Sequence, residues 1–191
     1  EGFTTYTETV FIECVKGYNE AIKYVNGQSR SVRNDRPVIA QFGVNKEGSG
    51  DMYYKGALML NTIRHIINDD AKWWKLLYNY SETYKKQIID TKTVIDYFNK
   101  ESGLDLTSVF NQYLTTTKIP KLVLSKTGNK LSYEWQNVNT DFKMPVDIVI
   151  NEKTIRLHPT TSKQETKIDK KIKLENIQVK TNQFFIKVEK K

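Results

Sequence analysis

The sequence has one cysteine, four prolines and two histidines in 191 residues. A lone Cys14 can close no disulfide within the chain. It falls in the repeat Val10, Cys14, Val15, Tyr18 and reads as a core thiol, since free cysteine is usually buried and inert. No apolar run approaches the roughly 20 residues that a membrane-spanning helix needs, which excludes one. His65 and His158 stand far apart, and no H-E-x-x-H, C-x-x-C or other ligand spacing accompanies them. Each reads as a surface or hydrogen-bonded histidine. No glycine-rich phosphate loop and no nucleophile with a local base are present either, so the chain holds no complete active site of its own. The opening Glu1-Gly2-Phe3-Thr4 lacks a basic or apolar leader pattern, and the expectation is that the chain begins inside something larger.

Acidic charge is scarce only in the last third. The net charge is +8, but residues 119–191 carry 15 Lys and Arg against 8 Asp and Glu, and residues 1–118 are nearly balanced. Arg156 is the single arginine of that basic stretch. Phosphate and base recognition favours arginine forks interleaved with exposed aromatics, so scattered lysine on solvated strand faces is the better reading and no nucleic-acid partner is expected. A competing reading keeps residues 119–191 as a Lys-rich interaction module for an acidic partner or a glycan.

Hydrophobic periodicity divides the chain. Tyr6, Val10, Phe11, Cys14, Val15, Tyr18, Ile22 and Val25 recur at steps of three and four and predict one long amphipathic helix closed by Gly27. Residues 28–50 read as a long loop, a feature that in a compact domain usually serves function or a missing partner. A second helix is predicted from Asp51, as N-cap, to Ile67. A third runs to Lys86 with Trp73, Trp74, Leu77, Tyr80 and Tyr84 inward. A fourth is capped by Thr91 and stopped by Gly103, and a fifth spans Leu106 to Leu114. At Ile119-Pro120 the period changes from 3.6 to 2. Apolar residues then alternate through Leu122–Leu124, Leu131–Trp135, Val146–Ile150, Ile155–Leu157, Ile168–Leu174 and Phe184–Val188, separated by turn signals. The expected architecture is α+β: an antiparallel helical domain over residues 1–118, then a small antiparallel β-sandwich over 119–191.

Two stretches, EGFTTYTE at residues 1–8 and MYYKGALML at 52–60, resemble the aminopeptidase N-type gluzincins, the zinc metallopeptidases that include leukotriene hydrolase. The family pattern is H-E-x-x-H, then a Glu in a segment like N-E-G-F-A-x-Y, then Y-x-K-G. The resemblance extends through NYSETYKK and TVIDYFNKESGLDLTSVFNQYL, and into the tail at DFKMPVDIVI and TIRLHPTTSKQE. It implies that Glu1 is the third zinc ligand and that Tyr53 hydrogen-bonds the oxyanion of the tetrahedral intermediate. It further implies that the two histidine ligands and the general base would precede Glu1. The family resemblance thus points to part of a zinc aminopeptidase acting on peptides, inactive and zinc-free as this piece alone. Gly56 is expected to permit close helix packing, Lys55 to be solvated or paired with an acid, and Trp73, Trp74 and Trp135 to lie in the core. The preferred N-terminal residue, the oligomeric state and the compartment are left open.

Overall fold

The computed structural model describes residues 1–41 and 43–191. Among the described residues six α-helices come first: α1 (Gly2–Lys16), α2 (Tyr18–Gly27), α3 (Tyr54–Ile67), α4 (Asp70–Tyr84), α5 (Thr91–Ser102) and α6 (Thr107–Thr115). The strands follow: β1 (Lys121–Thr127), β2 (Lys130–Gln136), β3 (Val146–Ile150), β4 (Lys153–Leu157), β5 (Gln164–Lys167), β6 (Gln178–Val179) and β7 (Lys187–Lys190). The switch of period at Ile119-Pro120 falls between the last helix and the first strand. The fold is therefore α+β, helices before sheets, as the periodicity predicts.

The predicted first helix is in fact two. Gly17 takes φ +85°, a backbone region that other residues enter only under strain, and its N–H closes α1 on the Glu13 carbonyl at 2.9 Å. The break turns α2 back against α1. Tyr6, Ile22 and Val25 are buried, while Phe11 is left 66% exposed and Val15 and Cys14 also face outward. Cys14 is thus an exposed thiol and not a core residue. The apolar repeat matched a helical period, but the repeat crosses a glycine that rotates its second half onto another axis.

α3 is the axial element, buried along nearly its whole length. It starts later than predicted, because residues Gly50–Met52 form a 3-10 turn. Asp51 is not its N-cap. The buried Asp51 carboxylate instead accepts the Arg33 and Asn34 amides at 2.9 and 2.7 Å, pinning the long loop onto the helix start. α4 is capped by Asp69, whose carboxylate accepts the Lys72 amide at 2.9 Å. α5 is capped by Asp90, whose carboxylate accepts the Thr93 amide at 2.7 Å, so the cap is one residue before the predicted Thr91. Trp73 is fully buried as expected; Leu76 is buried beside it, while Trp74 and Leu77 are only partly covered.

The strands make two sheets, ordered β5-β2-β1-β7 and β4-β3-β6. Every pairing is antiparallel except β1 with β7, which is parallel. The stretch Ile168–Leu174 forms no strand: β5 precedes it, a one-turn 3-10 helix at Leu174–Asn176 ends it, and its apolar side chains lean on the core instead. The buried side chains of helices and sheets form one continuous cluster, from Trp73 and Phe98 to Trp135 and Phe184. Arg156 on β4 fastens the two parts. Its guanidinium grips Asp147 of β3 through Nε and Nη2 at 2.8 and 3.0 Å, and donates to the Ile66 and His65 carbonyls at the end of α3 at 3.0 and 2.7 Å. Those carbonyls have no intrahelical partner, so the guanidinium acts as their cap.

Candidate active site at the crossing of α1 and α3

The first turn of α1 crosses the first turn of α3 at Gly2 and Gly56. A Cβ placed on Gly56 would stand 2.8 Å from the Gly2 Cα, and one on Gly2 would stand 2.9 Å from the Gly56 Cα and 3.0 Å from the Met52 carbonyl oxygen. The two segments E-G-F and Y-Y-K-G, distant in sequence, thus touch backbone to backbone. The expectation that Gly56 permits close packing holds, and Gly2 is its counterpart. Phe3 anchors the crossing from below by stacking on Tyr80 at 4.8 Å between centroids.

Glu1 occupies the N-cap position of α1, exposed, and its side chain caps no amide. Tyr53 occupies the same position on α3, 40% exposed, with Tyr54 beside it equally open. Lys55 turns the other way. It is buried, and its ammonium donates to the Thr116 carbonyl at 2.8 Å, holding the end of α6 against α3. Burial pushes its pKa below the ordinary lysine value, and the Asp51 charge opposes that shift. Lys55 is therefore neither solvated nor ion-paired: the helix presents it inward, toward a carbonyl at the end of α6.

Tyr53 and Tyr54 border an open cleft of about 790 Å³ whose other walls come from α1 and α2. There the Tyr24 hydroxyl donates to the Glu8 carboxylate at 2.6 Å. That bond, with a lesser contribution from partial burial, raises the Tyr24 pKa. No sequence signal marks this pair, because the two residues lie on different helices whose relative placement depends on the Gly17 break. Glu1, Gly2, Met52 and Gly56 border a second, apolar cavity of about 210 Å³ on the loop side, closed by Val38 and Ile39.

Neither histidine belongs to this site. His65 is buried in α3 with both ring nitrogens engaged, Nδ1 with the Asn61 carbonyl at 2.7 Å and Nε2 with the Tyr18 hydroxyl at 2.9 Å. Burial lowers its pKa to about 4. His158 is exposed and lies on the rim of a cavity of about 540 Å³ between the helices and the sheets. Among the described residues no group of three or more His, Cys, Asp or Glu side chains is placed to hold a metal ion. Glu1 offers one carboxylate, so the residues present do not by themselves fit a zinc ion. Among the described residues no helix is long and apolar enough to cross a membrane.

No family model and no curated protein matches the chain. Among solved structures it is similar to aminopeptidase A of Legionella pneumophila in complex with aspartic acid. That match has a TM-score of 0.69 at 12% identity and covers 99% of this chain. The chain spans 23% of the length of that aminopeptidase. The two share a fold, and the fold is one that a peptidase uses.

Proposed function

We propose that this chain is a segment of a zinc-dependent aminopeptidase of the aminopeptidase N-type gluzincins, which removes N-terminal residues from peptides. The observation that carries the reading is the Gly2–Gly56 contact, which sets the segment bearing Glu1 against the segment bearing Tyr53. An aminopeptidase of known structure with the same fold supports it. In this reading Glu1 is one carboxylate ligand of the zinc, and the remaining ligands and the general base come from outside the 191 residues. Zinc, when bound, would supply a water made acidic enough to attack an amide carbonyl.

The part this chain plays is positional and electrostatic. α1 and α3, locked at their glycines, hold a carboxylate and a phenol at the ends of two adjacent helices. The exposed Tyr53 hydroxyl is free to donate to a carbonyl oxygen as it gains negative charge, and a neutral donor does this without having to be deprotonated or desolvated as an ion. In the long peptidase, Tyr53→Phe should lower kcat by roughly two to three orders of magnitude while KM and zinc content stay the same, because the phenol acts in the transition state. Tyr54→Phe is the control. If both variants keep full turnover, the assignment is wrong; if only Tyr54→Phe is damaged, the phenol has been misplaced by one residue. The 191-residue chain alone should cleave no aminoacyl nitroanilide.

A further inference from the structure

We infer that the cleft between α1, α2 and the start of α3 receives a lysine or arginine side chain of the bound peptide, within three residues beyond the scissile bond, with Glu8 as its counter-ion. The inference deepens the aminopeptidase reading and rests on it for the word peptide and for the direction of the chain.

The cleft carries one carboxylate, Glu8, and one ammonium, Lys23. Glu8 points into it, and the partner it has there is neutral, the Tyr24 hydroxyl at 2.6 Å. Among the described residues no basic side chain pairs with Glu8. Lys23, on the outer rim, already pairs with Glu20 at 2.6 Å. The walls suit a cation: Tyr24, Tyr53 and Tyr54 all border the cleft and are all partly exposed, and phenol faces attract an ammonium or a guanidinium. Gln28, also bordering the cleft, is only 8% exposed, and its amide approaches the Tyr24 hydroxyl without either polar atom closing a hydrogen bond of good geometry. A buried amide left in that state is costly, and a small rearrangement on binding a donor would satisfy it.

Position follows from the helix. Glu8 lies on the same exposed face of α1 as Glu1, seven residues on, which is about 10 Å along the axis. An extended peptide advances about 3.3 Å per residue, so a side chain near Glu8 belongs to a residue up to three positions from the bond that is cut. On the N-terminal side of that bond an aminopeptidase holds a single residue. About 10 Å is two to three residues of extended chain, more than that one residue spans, so the inference places the side chain near Glu8 on the leaving side.

The test has two arms. In the first, the 191-residue chain is titrated by NMR with the amide of Ala-Ala-Lys-Ala and with its norleucine analogue, following the rings of Tyr24, Tyr53 and Tyr54. The lysine peptide should shift those signals at a concentration roughly tenfold lower than the norleucine peptide. Glu8→Gln should bring the two together, and Glu8→Lys should reverse the order for a glutamate peptide. In the second arm, the long peptidase is assayed on peptides with lysine or norleucine at each of the three positions after the bond, and the lysine-to-norleucine ratio of kcat/KM should fall toward one in Glu8→Gln. Equal titration by both peptides, or discrimination that survives Glu8→Gln, overturns the inference, and if the long protein still cleaves peptides the aminopeptidase reading stands without it. If the long protein cleaves no peptide while the chain still selects lysine through Glu8, the cation site stands and the aminopeptidase reading fails.

Discussion

Gly56→Ala should destabilise the chain, against the usual preference of helices for alanine. In an open helix interior the change stabilises by about 0.5–1 kcal/mol, because glycine loses more backbone freedom on folding. At Gly56 the new methyl would meet the Gly2 Cα at 2.8 Å, whereas carbon atoms rest at about 3.5–4.0 Å. The neighbour is backbone and cannot rotate away. Relief requires the first turn of α1 to move by most of an ångström, and that turn is held by Phe3 on Tyr80 and Phe98. Overpacking of this kind typically costs about 1–3 kcal/mol. The control is Gly27→Ala at the end of α2, where φ is −57° and no atom lies within 4 Å of the new Cβ. Urea denaturation of the 191-residue chain should place Gly56→Ala below Gly27→Ala by about 1–3 kcal/mol, equivalent to roughly 3–10 °C in Tm for a chain of this length. If Gly56→Ala matches or exceeds Gly27→Ala, the two motifs are not packed backbone to backbone and the main support for the proposed site is lost.

Two further perturbations probe the helical core. Arg64 is 2% exposed, forked onto Glu13 at 2.5 and 2.8 Å and bonded to Asp70 at 2.8 Å, with its guanidinium over the Trp74 ring. Arg64→Met would strand the mostly buried Glu13 carboxylate and should cost about 3 kcal/mol in urea denaturation. His65 binds protons less readily folded than unfolded, since its folded pKa is about 4 against an ordinary 6.5. Its contribution to stability is complete above about pH 6.5, declines as the pH falls through that value because the unfolded chain takes up the proton first, and is gone below about 4. Wild type should therefore lose about 2–3 kcal/mol more than His65→Gln between pH 7 and 4.5; parallel stability curves for the two would refute the assignment.

The order of elements was legible because helices and strands impose different periods on apolar residues, and those periods are local. Val94, Ile95 and Phe98 marked α5, and Leu131, Tyr133 and Trp135 marked β2, without knowledge of any partner. Gly103 marked a helix end for the same reason: it takes φ +71° there, a conformation that suits glycine. The candidate site was legible only as residue identities. Glu1 and Tyr53 could be named from the segments around them, but nothing in one dimension said that the segments meet.

What escaped the sequence depended on direction in space. A period of 3.6 says that a face exists and not what covers it, so Phe11, Cys14 and Val15 matched an apolar stripe and yet point outward. Asp51 and Lys55 carry ordinary surface chemistry; they are buried because the 28–50 loop and the end of α6 bring unpaired amides and a carbonyl to them. The sequence alone determined an α+β chain with a glycine in each of two family-like segments. Tertiary structure alone decided that those glycines touch, that Gly17 folds α2 back beside α1, and that Glu8, Tyr24 and Tyr53 border one cleft. These are contacts between residues far apart in the chain, and they form only when the elements between them have packed.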